Sequence, residues 1–196
     1  MNEQLLMNTA SHMVSNGKGI LAADESTPTI GKRFAQIGVE STFESRNEYR
    51  DMLFTADNME KNISGVIMYD ETLRQSTTSE NKISFTKLLS DKDVLPGIKV
   101  DTGAKQLAGA PGEKITEGLD GLRERLVEYY EMGARFAKWR AVITIGDDIP
   151  SDHCIYSNAH ALARYASLCQ ESNIVPIVEP EVLMDGGHNI DTCYQV

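Results

Sequence analysis

The sequence predicts an α/β fold in which parallel strands line a barrel. Three observations carry that expectation. Five apolar runs each end in charged residues: ILAAD (20–24), GVIMYDE (65–71), GIKVD (97–101), RFAKWR (135–140) and IVPIVEPE (174–181). A strand buried on both faces reads as such a short hydrophobic block, and charges at the C-terminal ends of several strands are what a barrel's active face uses. The runs recur at intervals of roughly 30 to 45 residues with helical patterns between them, the rhythm of successive βα units. The first run is followed by ESTPTIGKR, which holds neither G-x-G-x-x-G nor G-x-x-x-x-G-K-[ST]. An open doubly wound sheet, the alternative for such a succession, usually carries a Gly-rich phosphate loop at that point. The missing loop and the charges at every strand end favour the barrel.

In chain order, Glu3 to Val14 reads as a helix outside the repeating unit. ILAAD is the first strand. SRNEYRDMLFTADN places Tyr49, Leu53, Phe54 and Asp57 on a weak helical stripe. GVIMYDE is the second strand. The stretch from Thr78 to Asp93 is polar and is expected to lie on the surface, before the third strand in GIKVD. LDGLRERLVEYYEMG sets Leu119, Leu122, Leu126 and Tyr130 at helical spacing, with Gly133 as its stop. After the fourth strand, SNAHALARYASLCQESN aligns Leu162, Tyr165, Ala166 and Cys169, with Ser157 as N-cap and Asn173 as stop. IVPIVEPE is the fifth strand, and DGGHN beyond it reads as a turn.

The 196 residues suffice for one domain, 1–196, with a sizeable core. A net charge of -10 argues against a nucleic-acid or acidic-membrane partner, since both require a basic footprint. It leaves room for a local basic pocket. Cys154, Cys169 and Cys193 show no disulfide spacing and are expected to be free thiols in a reducing compartment. The N-terminus MNEQLLMNTASHMVS lacks a basic region and a sustained apolar stretch, and no run approaches the ~20 apolar residues of a membrane span. A cytoplasmic protein is expected.

The strand ends carry the candidate chemistry. Side chains two apart on a strand share a face. Glu179 and Glu181 flank Pro180, so both carboxylates point into one site unless EPE is a solvated loop. Close carboxylates push their pKa values apart, leaving one as acid and the other as base. Lys138 and Arg140 form a second alternate pair, suited to a phosphate or to keeping a lysine reactive, or serving simply as counter-ions to neighbouring glutamates. Lys99 and Asp101 repeat the pattern on the third strand, and Asp24 ends the first. Each alone is readily structural; four together imply a site for an anionic, polar substrate undergoing proton transfer. Ser26, Thr29, Lys32 and Arg33 follow Asp24, either as a phosphate site or as a capped surface helix. His12, His153, His160 and His188 lack metal-ligand spacing, so no metal and no cofactor is expected.

These blocks resemble the class I, Schiff-base-forming fructose-1,6-bisphosphate aldolases. The matching segments are GKGILAADESTPTIGKRF, GVIMYDETL, LPGIKVDTG, GLDGLRERLVEYYEMGARFAKWRAV, ALARYASLCQ and VPIVEPEVLMDGGH, spanning residues 16–188. AADEST, FAKWR and VPIVEPE together are highly specific. The resemblance implies a TIM (β/α)8 barrel of which only the first five strands are present. It implies reversible cleavage of fructose 1,6-bisphosphate to dihydroxyacetone phosphate and glyceraldehyde 3-phosphate. By motif, Asp24 handles protons and positions substrate hydroxyls, Glu179 is the general acid/base, and Glu181 and Lys138 support imine formation. Lys99 and Arg140 line the substrate, while Ser26, Thr29, Arg33 and Arg46 lie near a substrate phosphate. The Arg46 match is the loosest, and Pro28 stands where relatives commonly carry glycine. Relatives are commonly tetramers, so a homo-oligomer is implied at full length.

One departure dominates. The family's imine-forming lysine sits on the sixth strand, beyond EPE, where this sequence does not reach. From the residues alone Lys138 is a candidate nucleophile; the resemblance makes it a helper. The expectation is therefore a fragment of an aldolase, or a truncated product, inactive by itself. Two further readings are a truncated non-catalytic sugar-phosphate-binding or interaction paralogue, and an imine-forming barrel enzyme acting on another sugar phosphate.

Overall fold

The computed structural model describes residues 1–196. Its strands are β1 (Gly19–Ala23), β2 (Ile63–Met68), β3 (Leu95–Lys99), β4 (Gly103–Gln106), β5 (Lys114–Glu117), β6 (Phe136–Ile143) and β7 (Val175–Val182). Its helices are α1 (Glu3–Met13), α2 (Thr27–Gln36), α3 (Phe43–Phe54), α4 (Asp70–Leu73), α5 (Phe85–Asp91), α6 (Leu122–Glu131), α7 (Asp152–Glu171) and α8 (Ile190–Gln195). Five strands form one parallel sheet in the order β1-β2-β3-β6-β7. Neighbours in the sheet follow one another along the chain, as in a barrel, and the order never reverses as it does in a doubly wound sheet.

The two faces of the sheet are both apolar at the N-terminal end of the strands, which is why the strands read as hydrophobic blocks. Ala23, Val66, Met68, Ile98, Ala137, Trp139 and Ala141 point outward into a core of 22 buried residues. There they meet helix residues such as Phe54, Phe85, Leu122, Leu126 and Tyr165. The alternate positions Ile67 and Phe136 point inward and pack with Met13, Ile20, Leu95, Val175 and Ile177. Met13 is the last residue of α1, so the extra N-terminal helix closes the base of the inner face. Its carbonyl accepts the buried Ser64 hydroxyl at 2.6 Å, tying α1 to β2. Gly97 lies beside Phe136 in the register, and a Cβ at Gly97 would sit 2.3 Å from the Phe136 ring. Glycine is required there because the aromatic ring fills that space.

Four local expectations need correction. β4 and β5 form an antiparallel hairpin between β3 and α6 that the pattern of apolar blocks did not reveal. The stretch expected on the surface carries α5, whose Phe85 and Leu89 are fully buried; Phe85 meets Phe54 edge-on at 5.0 Å between centroids. In α6 the third buried residue is Tyr129, with Tyr130 only half-buried, because the helix begins at Leu122 and its stripe turns slightly. The N-cap of α7 is Ser151, not Ser157: its hydroxyl accepts the Cys154 amide at 3.2 Å. Ser151 is fixed by the buried Glu113 carboxylate, which accepts its amide and its hydroxyl, both at 2.6 Å. These bonds hold Glu113 below the usual carboxylate range. The helical stops Gly133 and Asn173 both adopt the left-handed conformation expected of them. No helix is long and apolar enough to cross a membrane.

Candidate active site

The polar rim arises from the unequal lengths of the strands. β3 pairs with β6 only as far as Lys99 opposite Lys138. β6 and β7 continue together through Arg140 opposite Glu179 and Val142 opposite Glu181. The period of two then sets Lys99, Lys138, Arg140, Glu179 and Glu181 on the inner face, above the apolar layer around Phe136. Glu179 and Glu181 lie within β7 itself, so the solvated-loop alternative for EPE does not hold.

A single ionic chain connects four of the strand-end groups and Asp24. Lys138 Nζ lies 2.7 Å from Asp24 Oδ2 and 3.8 Å from Glu179 Oε2. Arg140 Nε lies 3.9 Å from Glu179 Oε1 and donates to Glu181 Oε2. Asp24 immediately follows β1, whereas Lys138 is on β6. Three strand spacings, about 14 Å in a flat sheet, separate those strands. A direct ion pair between them requires a curled sheet whose concave side is the rim.

The network distributes charge unevenly. Hydrogen bonding from Arg140 outweighs burial and holds Glu181 below the usual carboxylate range, with the nearby charges of Arg140 and Lys138 adding to it. Glu181 in turn raises Arg140. Close carboxylates were expected to repel one another, but Arg140 reaches both of them. Glu179 faces its two cations at 3.8 and 3.9 Å, without a hydrogen bond from either. Glu179 is thus the more loosely held of the two carboxylates, while Glu181 is bound directly by Arg140. No group of three or more His, Cys, Asp or Glu side chains has an arrangement that holds a metal ion.

The remaining sequence candidates fall into three neighbouring groups. Lys99 pairs with Asp101 and also donates to the Asp101 carbonyl at 3.0 Å. Ser26 is the N-cap of α2 with no side-chain capping bond, and its hydroxyl lies 3.0 Å from that of Thr29. Pro28 occupies the first turn of that helix, where a missing amide costs nothing. Arg33 pairs with Glu25, and the Arg33 side chain remains 59% exposed. Arg46 is committed elsewhere: it grips Glu71 through two bonds of 2.7 Å and the Ser41 carbonyl at 3.1 Å, bracing α3 against α4. None of its bonds reaches the Lys138 network.

Sequence reasoning missed Glu25 and Arg50. Arg50 is 3% exposed and donates to Glu25 Oε2 at 2.7 Å and to the Glu25 carbonyl at 3.2 Å. This pair holds the segment after Asp24 against α3. Glu25 stands inside the AADEST motif, but its partner lies on a separate helix, and nothing in local spacing reveals the contact.

Fold and rim together define a parallel barrel protein whose lysines and carboxylates converge at the C-terminal ends of the strands. The chain belongs to the class I fructose-bisphosphate aldolase family: the family model described as "Glycolytic: Fructose-bisphosphate aldolase class-I" matches residues 5–196. A Xanthomonas campestris protein named "Probable fructose-bisphosphate aldolase class 1" is 60% identical over the whole chain, which covers 58% of that relative. Arabidopsis thaliana "Fructose-bisphosphate aldolase 4, cytosolic" is 53% identical over 97% of the chain and 48% of its own length. Among solved structures, a Plasmodium falciparum fructose-bisphosphate aldolase in complex with TRAP and a small-molecule inhibitor superposes with a TM-score of 0.93 at 50% identity. That match covers 97% of this chain and 55% of the other. The five strands are thus an α/β half-barrel of the TIM type, and the chain spans about half the length of the relatives it matches.

Proposed function

We propose that residues 1–196, as one incomplete barrel domain, supply the substrate-binding and acid/base half of a class I aldolase site. The reaction is reversible cleavage of fructose 1,6-bisphosphate through a lysine imine. The observation that carries this reading is the chain of ion pairs from Asp24 through Lys138, Glu179 and Arg140 to Glu181. Asp24 and Lys138 share a proton-bearing contact suited to orienting a substrate hydroxyl. Glu179, lacking a fixed hydrogen bond, is the general acid/base. Glu181 and Arg140 balance charge as the imine forms, and Lys99 and Arg140 line the substrate. In this reading a phosphate is held by Ser26 and Thr29 at the start of α2 and by Arg33, whose side chain reaches back from the last turn to Glu25. Arg46 can join them only by leaving Glu71.

Lys138 is a helper in this scheme and not the imine former. Its Nζ is engaged at 2.7 Å by Asp24 and lies 3.8 Å from Glu179, a counter-ion's position between two carboxylates. Without an imine there is no electron sink for C–C cleavage, so the chain alone binds substrate without turning it over. The cytosolic names of plant relatives support a cytoplasmic location, and assembly as a homo-tetramer belongs to the complete protein.

A retro-aldol assay with borohydride trapping tests the proposal in two arms. The isolated chain is expected to show neither turnover nor a covalent adduct. A chimera in which it replaces the matching portion of the Xanthomonas campestris relative is expected to cleave the bisphosphate. Turnover by the isolated chain with Lys138 labelled, or a folded chimera with no turnover, overturns it.

A further inference from the structure

Arg140 stands where β6 has outrun its neighbour. β3 pairs with β6 only through Lys99 opposite Lys138, followed by one bond from the Val100 amide to the Lys138 carbonyl at 3.1 Å. In a regular parallel ladder the peptide groups of Arg140 would next meet the strand beyond Val100. Here the Val100 carbonyl is taken by Arg125 at 3.0 Å, and the chain turns away into the β4–β5 hairpin. Side chains from that turn and hairpin replace the missing ladder. The Arg140 N–H donates to Asp101 Oδ2 at 3.4 Å, and the Arg140 carbonyl accepts the Thr116 hydroxyl at 2.7 Å. The other oxygen of Asp101 accepts the Gly103 N–H at 3.0 Å and the Lys99 ammonium. Asp101 is 8% exposed and Thr116 2%.

We infer that Asp101 is the positioning residue of the rim, with Thr116 holding the other side of the same Arg140 peptide: Asp101 stands in for the absent stretch of β3 and thereby fixes Arg140 and Lys99 relative to Lys138 and Glu179. The chemistry selects a carboxylate. Three donors converge on Asp101 from both sides, and an ionised carboxylate is acceptor-only at both oxygens. Asparagine has the same shape but one acceptor; its NH2 would face either the Arg140 N–H or the Lys99 and Gly103 donors. Gly103 donates its N–H to Asp101 and adopts φ +100, a conformation glycine tolerates, as the chain enters β4. The step from positioning to substrate affinity rests on the sugar-phosphate reading above; the positioning itself does not.

Amide hydrogen exchange and lysine ammonium spectra of the 196-residue chain test the inference, using Asp101→Ala, Asp101→Asn and Thr116→Val. A hydrogen bond to a charged acceptor predicts that exchange at the Arg140 amide accelerates about tenfold or more in Asp101→Ala. The amides of Val66 and Ile98, inside the regular ladder, keep their wild-type rates. In Asp101→Asn, either Arg140 loses protection or the Lys99 ammonium resonance shifts, since one amide oxygen cannot serve both sides. Thr116→Val is expected to weaken protection at Arg140, and Thr116→Ser to restore it. Titration with fructose 1,6-bisphosphate is expected to show affinity about tenfold weaker in Asp101→Ala, the loss of one charged-group positioning contact. Unchanged Arg140 protection in a folded variant, or equal acceleration at Val66, Ile98 and Arg140, overturns the inference. Should the unmutated chain fail to bind the bisphosphate, the sugar-phosphate reading falls, and the exchange rates still decide the role of Asp101.

Discussion

Lys138→Met in the Xanthomonas chimera is expected to lower kcat for fructose 1,6-bisphosphate cleavage by about 10²- to 10⁴-fold, the range for loss of a positioned proton-transfer group. The methionine stem preserves packing above Phe136 and removes only the ammonium. Asp24 then loses its 2.7 Å partner, and its side chain is only 11% exposed. Stranding one member of a buried ion pair costs about 3 to 5 kcal/mol, and the open rim places this case at the lower end, about 3 kcal/mol. A drop in thermal midpoint should accompany the loss of activity. Lys138→Arg keeps the charge, yet a planar fork cannot reproduce a point contact with Asp24 while also facing Glu179. Stability is expected to recover with arginine and turnover is not. Glu179→Gln gives the complementary pattern: reduced kcat with little loss of stability, because that carboxylate has no hydrogen bond from either cation. Steady-state kinetics and thermal melts on the three variants separate proton transfer from charge balance. Wild-type kcat in Lys138→Met would remove Lys138 from the mechanism.

Gly97→Ala is expected to be the most destabilising single-methyl change in the inner layer. The added Cβ falls 2.3 Å from the Phe136 ring, and Phe136 is fully buried, so the ring has no free direction in which to retreat. Overpacking of this kind costs about 1 to 3 kcal/mol, and this contact belongs at the upper end. Phe136→Leu alone loses aromatic contact area and is also destabilising. Combined with Gly97→Ala it relieves the clash, so the double variant should be more stable than the sum of the two singles predicts. A coupling of at least about 1 kcal/mol, measured from urea midpoints in a double-mutant cycle, is the expected result. The same change at Gly65 brings a Cβ to 2.8 Å of the ring and is expected to cost less.

What was legible in the chain follows from the range of each interaction. The five sheet strands were readable because both faces are apolar at their N-terminal ends, which leaves short hydrophobic blocks that end in charges. The alternation of Lys138 with Arg140 and of Glu179 with Glu181 was readable because a strand fixes side-chain direction every second residue. The β4–β5 hairpin was not readable. Its strands GAKQ and KITE are four residues each, largely polar, and pack one edge against β6 without forming an apolar block. α5 was hidden because it is only seven residues long and mixes Lys87, Ser90 and Asp91 with its core-facing Phe85, Leu88 and Leu89, too short a run to show a helical period. Asp24 was nominated from its place at a strand end, but its pairing with Lys138 depends on the curl of the sheet, which no local spacing encodes. Asp101 was noticed only as a partner of Lys99. Its hold on the Arg140 amide comes from a break in strand pairing that exists only in three dimensions.

The most direct measurement is a titration of the 196-residue chain with fructose 1,6-bisphosphate, following the side-chain signals of its lysines and arginines. If acidic and basic groups from separate strands form one sugar-phosphate site, Lys99, Lys138 and Arg140 shift together with a single dissociation constant, and Lys138→Met abolishes the response at Lys99 and Arg140. Shifts confined to the outer surface, for example at Arg123 and Arg164 on α6 and α7, with the three rim residues unmoved, would contradict it.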